Sequence, residues 1–288
     1  MILKAILMIP NNFRNREYNG FKKNVENNIF YLLISKPAFY LKKLLWRTML
    51  IGGIAFCLNL FVRLLHYEST TIPSAMHSLI GLVIGLLLVF RTNTAYDRWW
   101  EGRKVIGSLS QEISLISIRL NLINDSIKTD GIKDCVSEFL LTLRDYLKFS
   151  DDGKESPSFH ISQKKSISKA MGRLDDGFVG KDMHVNAIYN SLGDILEYSS
   201  VLERIKNTPI PLSYVLHIKI SILIYLFTLP FGMFHALGLW STPLVMLVYY
   251  IIAGVEIISN EIENPFADDP NDLPTNTLFN IMIQTLWD

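Results

Sequence analysis

The chain has 288 residues, 49% hydrophobic and only 19% charged, with a mean hydropathy of +0.24 and a net charge of +1. A soluble domain carries about 25% charged residues, so the chain is short of solvent-facing material. Its near-neutral balance also lacks the strongly basic face that a nucleic-acid partner requires. Two cysteines, Cys57 in an apolar run and Cys135 in an amphipathic one, argue against a disulfide framework. The histidines show no ligand-like spacing, and no structural zinc site is expected.

Residues 1–43 form a basic N-terminal segment. Its opening "MILKAILMIP" is too short an apolar run for a cleavable signal peptide, and "NNFRNREYNGFKKN" follows without a small-residue cleavage site. The first membrane-grade stretch runs from Leu44 to Leu65, with Arg47 and Arg63 near its ends, where long side chains snorkel. The second runs from Ile72 to Phe90 without any Lys, Arg, Asp or Glu, and its helix is expected to continue to residue 99. The third, Leu212 to Leu239, contains Lys219 and Pro230; the fourth, Pro243 to Ser259, contains Glu256 near its end. A span needs about 20 residues to cross the hydrocarbon, and all four stretches qualify with some tilt.

Basic residues crowd the chain before the first span (Lys22, Lys23, Lys36, Lys42 and Lys43 among them) and the segment between Arg91 and Lys206. The connections "HYESTT" and "GLWST" contain neither Lys nor Arg. The positive-inside rule then places both termini and the long middle segment in the cytoplasm of a cell with the chain in its inner membrane. The expected organisation is a cytoplasmic segment at 1–43, two membrane helices within 44–99, a cytoplasmic helical domain at 100–208, two further membrane helices within 209–260, and an acidic turn and tail at 261–288. In the middle segment, Ile106, Leu109, Ile113, Ile116 and Leu120 recur at three- and four-residue steps. So do Val136, Leu140, Leu143 and Leu147, and, after the polar break "SDDGKESPS", Val185, Ile188, Leu192, Ile195 and Leu202. Such stripes are helix cores. The fold class is therefore an all-α integral membrane protein. No phosphate-cradling loop, catalytic constellation or internal repeat is found, and no enzymatic activity is expected.

In the final segment Pro265, Pro270 and Pro274 stop the fourth helix and fix a loop, in which Asn264, Asp268, Asp269 and Asp272 supply oxygens. The loop lacks the glycine and final glutamate of an EF-hand. Read from its residues, it is a turn whose Asp side chains bond backbone N–H groups or pair with basic neighbours.

Three motifs carry a resemblance. "VFRTNTAYDRWWEGR" at the exit of span two, "ERIKNTPIPLSY" entering span three and "NPFADDPNDLPTN" leaving span four resemble the bestrophin family, bacterial homologues included, in order and spacing. The resemblance covers about residues 30–288. It implies a homopentameric ion channel with span two lining a central pore, so that the expected partners are further copies of the chain, membrane lipid and inorganic ions. Ser74, Ser78, Gly81 and Gly85 form a small-residue stripe suited to close helix contact. Leu82, Leu86 and Phe90 form the adjacent stripe, and the residues alone do not choose between it and Leu79, Val83 and Leu87. The resemblance does: it implies a neck of bulky apolar rings at Leu82, Leu86 and Phe90, which gates by dewetting. It also implies a second narrowing at the cytoplasmic mouth, near Met183 in "GKDMHVN".

No cofactor is required by this reading. The resemblance adds calcium as a candidate ligand, because in animal members the matching turn is a calcium clasp; Glu261, Asn264, Asp269 and Asp272 stand at the corresponding positions. Pro270 and Asn271 replace part of a denser acidic run there, which weakens the attraction for a dication.

Family membership does not set ion selectivity, since anion- and cation-conducting members both occur. Span two starts near Thr71, Ile72 and Pro73, and each helix N-terminus presents about half a positive charge to the outer mouth. That favours anions, chloride above all, with sodium or potassium conduction as the alternative. A secondary transporter would show repeats and broken helices, for which Pro230 with Gly232 is the sole hint. A membrane scaffold stays open at this stage.

Overall fold

The computed structural model describes residues 38–64, 74–123, 126–148, 159–177, 182–267, 269 and 271–288. The N-terminal residues 1–37, the connection 65–73 with Pro73, the polar break 149–158, and Asp268 and Pro270 of the acidic turn lie outside the described residues. Among the described residues there are eight α-helices and no strand. They are α1 (Ala38–Leu64), α2 (Ser74–Asn121), α3 (Ser126–Lys148), α4 (Phe159–Gly177), α5 (Asp182–Asn207), α6 (Leu212–Leu237), α7 (Ser241–Glu263) and α8 (Thr275–Trp287).

Two compact units result. One takes the described residues up to Phe90 together with Ser213–Ile258; the other takes the described residues of Arg91–Leu212 and Ser259–Asp288. The divisions fall inside α2 and α7, whereas hydropathy and motif order put boundaries at 99, 208 and 260. The difference at α2 has a plain cause. Its apolar part ends at Phe90, yet no proline or glycine pair interrupts "RTNTAYDRWWEGR", so one 48-residue helix carries the chain onward.

In the first unit, α1, α6, α7 and the start of α2 supply helices long and apolar enough to cross a membrane. Ile84 and Leu88 of α2 are buried against Ile218, Ile222 and Leu226 of α6. Ala55 of α1 is buried with Leu229 of α6 and Val245 of α7. One polar group inside this unit ties α1 to the start of α7: Asn59 Nδ2 donates to Ser241 Oγ at 2.8 Å and to Thr242 Oγ1 at 3.0 Å. Pairing of this kind keeps polar groups satisfied where no water is available. Gly238, with φ +56°, opens the single 3₁₀ turn that joins α6 to α7, a left-handed conformation that favours glycine.

The second unit has a conventional core. The α2 stripe Ile106, Leu109, Ile113, Ile116 and Leu120 is fully buried, with Phe139, Leu140 and Leu143 of α3 and Ile188, Leu192 and Ile195 of α5. The end of the chain differs from the expected tail. Thr275–Trp287 is a helix, and Phe279, Met282 and Leu286 enter the same core at three- and four-residue steps.

Candidate functional site

At 100° per residue, a helix packed through Ile84 and Leu88 turns residues 82 and 86 to its opposite side. Leu82 is 71% exposed, Leu86 52% and Phe90 54% in the single chain. The competing stripe behaves differently. Leu79 and Val83 are also exposed, but Leu87 packs on the α6 face, and its backbone carbonyl accepts a hydrogen bond from the Tyr214 hydroxyl at 3.4 Å. Of the two stripes, the one formed by Leu82, Leu86 and Phe90 has all three members exposed.

The small-residue stripe is divided by the structure. Gly81 is used inside the chain: a Cβ there would lie 2.8 Å from the Tyr225 hydroxyl oxygen on α6. It therefore does not serve contact between copies alone, as its place in the stripe with Ser74 and Ser78 leads one to expect. Gly85 has nothing within 4 Å of a Cβ, and Ser78 is exposed. The side chain of Ser74, the first residue of α2, lies outside the described residues. Met183 sits in the first turn of α5 and is 84% exposed.

In the second unit, the polar part of α2 organises what surrounds it. Arg91, Ala95, Arg98 and Gly102 follow at three- and four-residue steps and share one face. The Arg91 guanidinium is completely buried; its Nη2 donates to Asn260 Oδ1 and lies 3.8 Å from Glu263 Oε2. Arg98 Nε donates to the Glu263 carbonyl at 3.0 Å, and its Nη groups donate to the carbonyls of Ile205 and Thr208. One guanidinium thus satisfies the carbonyls that end both α5 and α7, which have no helical donors of their own. Glu263 Oε1 in turn accepts the Ile210 N–H at 3.2 Å. Neither Arg91 nor Arg98 has a role that the sequence pattern around it announces. The available signal was an arginine at the end of a charge-free span, with a second one seven residues on.

The acidic turn is anchored on the same helix. Phe266 is fully buried, and a Cβ on Gly102 would stand 3.2 Å from its ring. Trp99 Nε1 donates to the Asn271 carbonyl at 3.1 Å. The turn also closes on itself: Asp269 N–H donates to Asp272 Oδ2 at 2.6 Å, Asp272 N–H to the Asp269 carbonyl at 3.1 Å, and Leu273 N–H to the Pro265 carbonyl at 2.9 Å. Asn271 Nδ2 donates to Glu261 Oε2 at 2.6 Å, and Asn264 is exposed. Calcium wants six to eight oxygens turned to one point. Here the Asp272 and Glu261 carboxylates each accept a hydrogen bond from the turn itself. Among the described residues no group of three or more His, Cys, Asp or Glu side chains is placed to hold a metal. Of the four candidate calcium residues Glu261, Asn264, Asp269 and Asp272, the turn's own hydrogen bonds thus engage one carboxylate oxygen each of Glu261 and Asp272.

The family model for bacterial and fungal bestrophin proteins matches residues 23–148 and 141–288. The chain belongs to the bestrophin family. Among curated relatives it is similar to a voltage-dependent anion channel-forming protein of Nostoc sp., 33% identical over 230 residues that cover 72% of this chain and 75% of the relative. A protein of the same description from Synechocystis sp. is 31% identical over 242 residues, 76% of this chain and 78% of the relative. Among solved structures, a mutant of a bacterial bestrophin homologue from Klebsiella pneumoniae superposes with a TM-score of 0.77 at 20% identity, covering 85% of this chain and 98% of that one. That likeness shows the bestrophin fold. With four apolar spanning helices, this bestrophin is a membrane protein.

Proposed function

We propose that the chain is one subunit of a homopentameric anion channel in the inner membrane, with both termini cytoplasmic, which lets chloride run passively down its gradient. The observation that carries the reading is the stripe Leu82, Leu86 and Phe90, exposed in the single chain on the side of α2 turned away from its packed face. Exposed leucines in a membrane helix are ordinary where lipid covers them. Here they lie on the helix that the family places around its pore, and repeated around an axis they make an apolar neck. Such a neck resists ions by dewetting and attracts neither sign. Its selectivity must come from charge at the mouths. α2 begins with Ser74, and its N-terminal dipole end, about half a positive charge per subunit, favours anions there. The relatives' description as anion channel-forming proteins supports the same sign. Met183, exposed in the first turn of α5, is the candidate for a second narrowing.

Chloride efflux from vesicles containing purified protein tests this. Efflux down the gradient, with no co-transported ion required, is expected. Flux that needs a stoichiometric partner ion, or none above empty vesicles, would contradict a passive channel.

A further inference from the structure

A groove of about 380 Å³ opens between α1 and α6 of the first unit. Its walls include Ile51, Ile54 and Leu58 of α1 and Leu223, Phe227 and Pro230 of α6. That volume falls in the range of about 300–1,000 Å³ typical of small-molecule sites, and every lining side chain is apolar. Pro230 contributes to its shape, because it gives no N–H to the Leu226 carbonyl one turn below. Both walls belong to membrane-length helices, so the medium that reaches the groove is lipid.

One end of the groove is charged. Arg47, Ile51, Ile54 and Leu58 succeed one another at three- and four-residue steps on one face of α1, and Lys219, Leu223, Phe227 and Pro230 do the same on α6. Arg47 and Lys219 each stand one helical turn, about 6 Å, before the first groove residue of their helix. Lys219 Nζ is 3.4 Å from Glu256 Oε1. Arg47 is exposed and has no carboxylate within ion-pair distance among the described residues; its charge is in electrostatic reach of Tyr249, as is that of Glu256. Two cations against one carboxylate leave a single net positive charge at this end. Trp46, 71% exposed beside Arg47, marks the same turn as headgroup level, where indole rings collect.

We propose that this groove is a binding site for an anionic glycerophospholipid, with one acyl chain between α1 and α6 and its phosphate at Arg47 and Lys219. Charge selects the occupant. A zwitterionic lipid would fill the apolar part equally well, but its headgroup brings a cation along with the phosphate and leaves the net positive charge of this end uncompensated. The guanidinium can fork onto the phosphate of an anionic lipid that carries no such cation.

Native mass spectrometry of the purified assembly, titrated with phosphatidylglycerol or with phosphatidylcholine of the same chains, tests the site. The parent should hold phosphatidylglycerol in preference. Arg47→Gln should lower its retention about fivefold, as expected for one basic residue at an anionic surface, and leave phosphatidylcholine unchanged. Arg47→Lys should keep most of the preference, which separates a charge effect from a folding defect. Ile54→Trp, which fills the groove from an exposed position, should reduce both lipids. Equal retention of the two lipids by the parent, an unchanged preference in Arg47→Gln, or unchanged lipid in Ile54→Trp would each overturn the proposal. None of these readouts depends on ion flux, so the channel reading stands or falls separately.

Discussion

The phenol of Tyr225 lies over Gly81: a Cβ at that glycine would be 2.8 Å from the hydroxyl oxygen and 3.3 Å from the ring carbon bearing it. The missing side chain lets α6 approach α2 within one subunit. Gly81→Ala should therefore destabilise the fold by roughly 1–3 kcal/mol, the usual cost of overpacking. It should be read as a lower melting temperature. Since the hydroxyl makes the shortest contact, adding Tyr225→Phe should return part of the loss. A melting temperature that Gly81→Ala leaves unmoved would show that the contact carries no strain.

Gly85 offers the opposite case. A Cβ there meets nothing within 4 Å in the chain, so Gly85→Leu should leave the subunit folded. Its added bulk falls on the surface assigned to a neighbouring copy, where small residues let helices approach. Native mass measurement should find the parent as a pentamer and the variant largely dissociated. A variant that assembles like the parent would remove Gly85 from the interface.

The neck has its own test. Leu86→Ala with Phe90→Ala removes bulk from side chains that are half exposed in the subunit, so folding should be little affected. A wider constriction wets more readily, and chloride efflux should rise several-fold. Unchanged efflux from intact pentamers would mean that the barrier lies elsewhere.

The four spans were legible because lipid demands long uncharged runs, and the three motifs placed the chain in its family. What the sequence hid has physical causes. The docking of the polar part of α2 was hidden, because its Arg91, Arg98 and Trp99 bond to the chain near residues 205–208, 260–263 and 271, distant partners that no local pattern announces. Helix α8 is short and follows an acidic turn, so Phe279, Met282 and Leu286 pass for part of a tail until the core that receives them is seen. The role of Gly81 is invisible for a further reason: a glycine that meets Tyr225 looks the same in sequence as Gly85, which meets nothing.

The acidic turn yields a prediction about metal. Asp272, buried to 4% exposure, holds the turn by accepting the Asp269 N–H. Asp272→Ala should cost about 1–3 kcal/mol, as for loss of a buried acceptor. Chelation of calcium should leave the parent's melting temperature unchanged. A clear drop on chelation, reversed by added calcium, would show that the turn gathers its oxygens around the ion.

The most direct test of the account is the reversal potential of the purified protein in a planar bilayer separating two concentrations of potassium chloride. An anion channel with an apolar neck and the positive end of α2 at its mouth predicts a reversal close to the chloride equilibrium potential, with currents that persist when potassium is replaced by a large organic cation. A reversal close to the potassium equilibrium potential would contradict the assigned selectivity, and the absence of any current would contradict the channel itself.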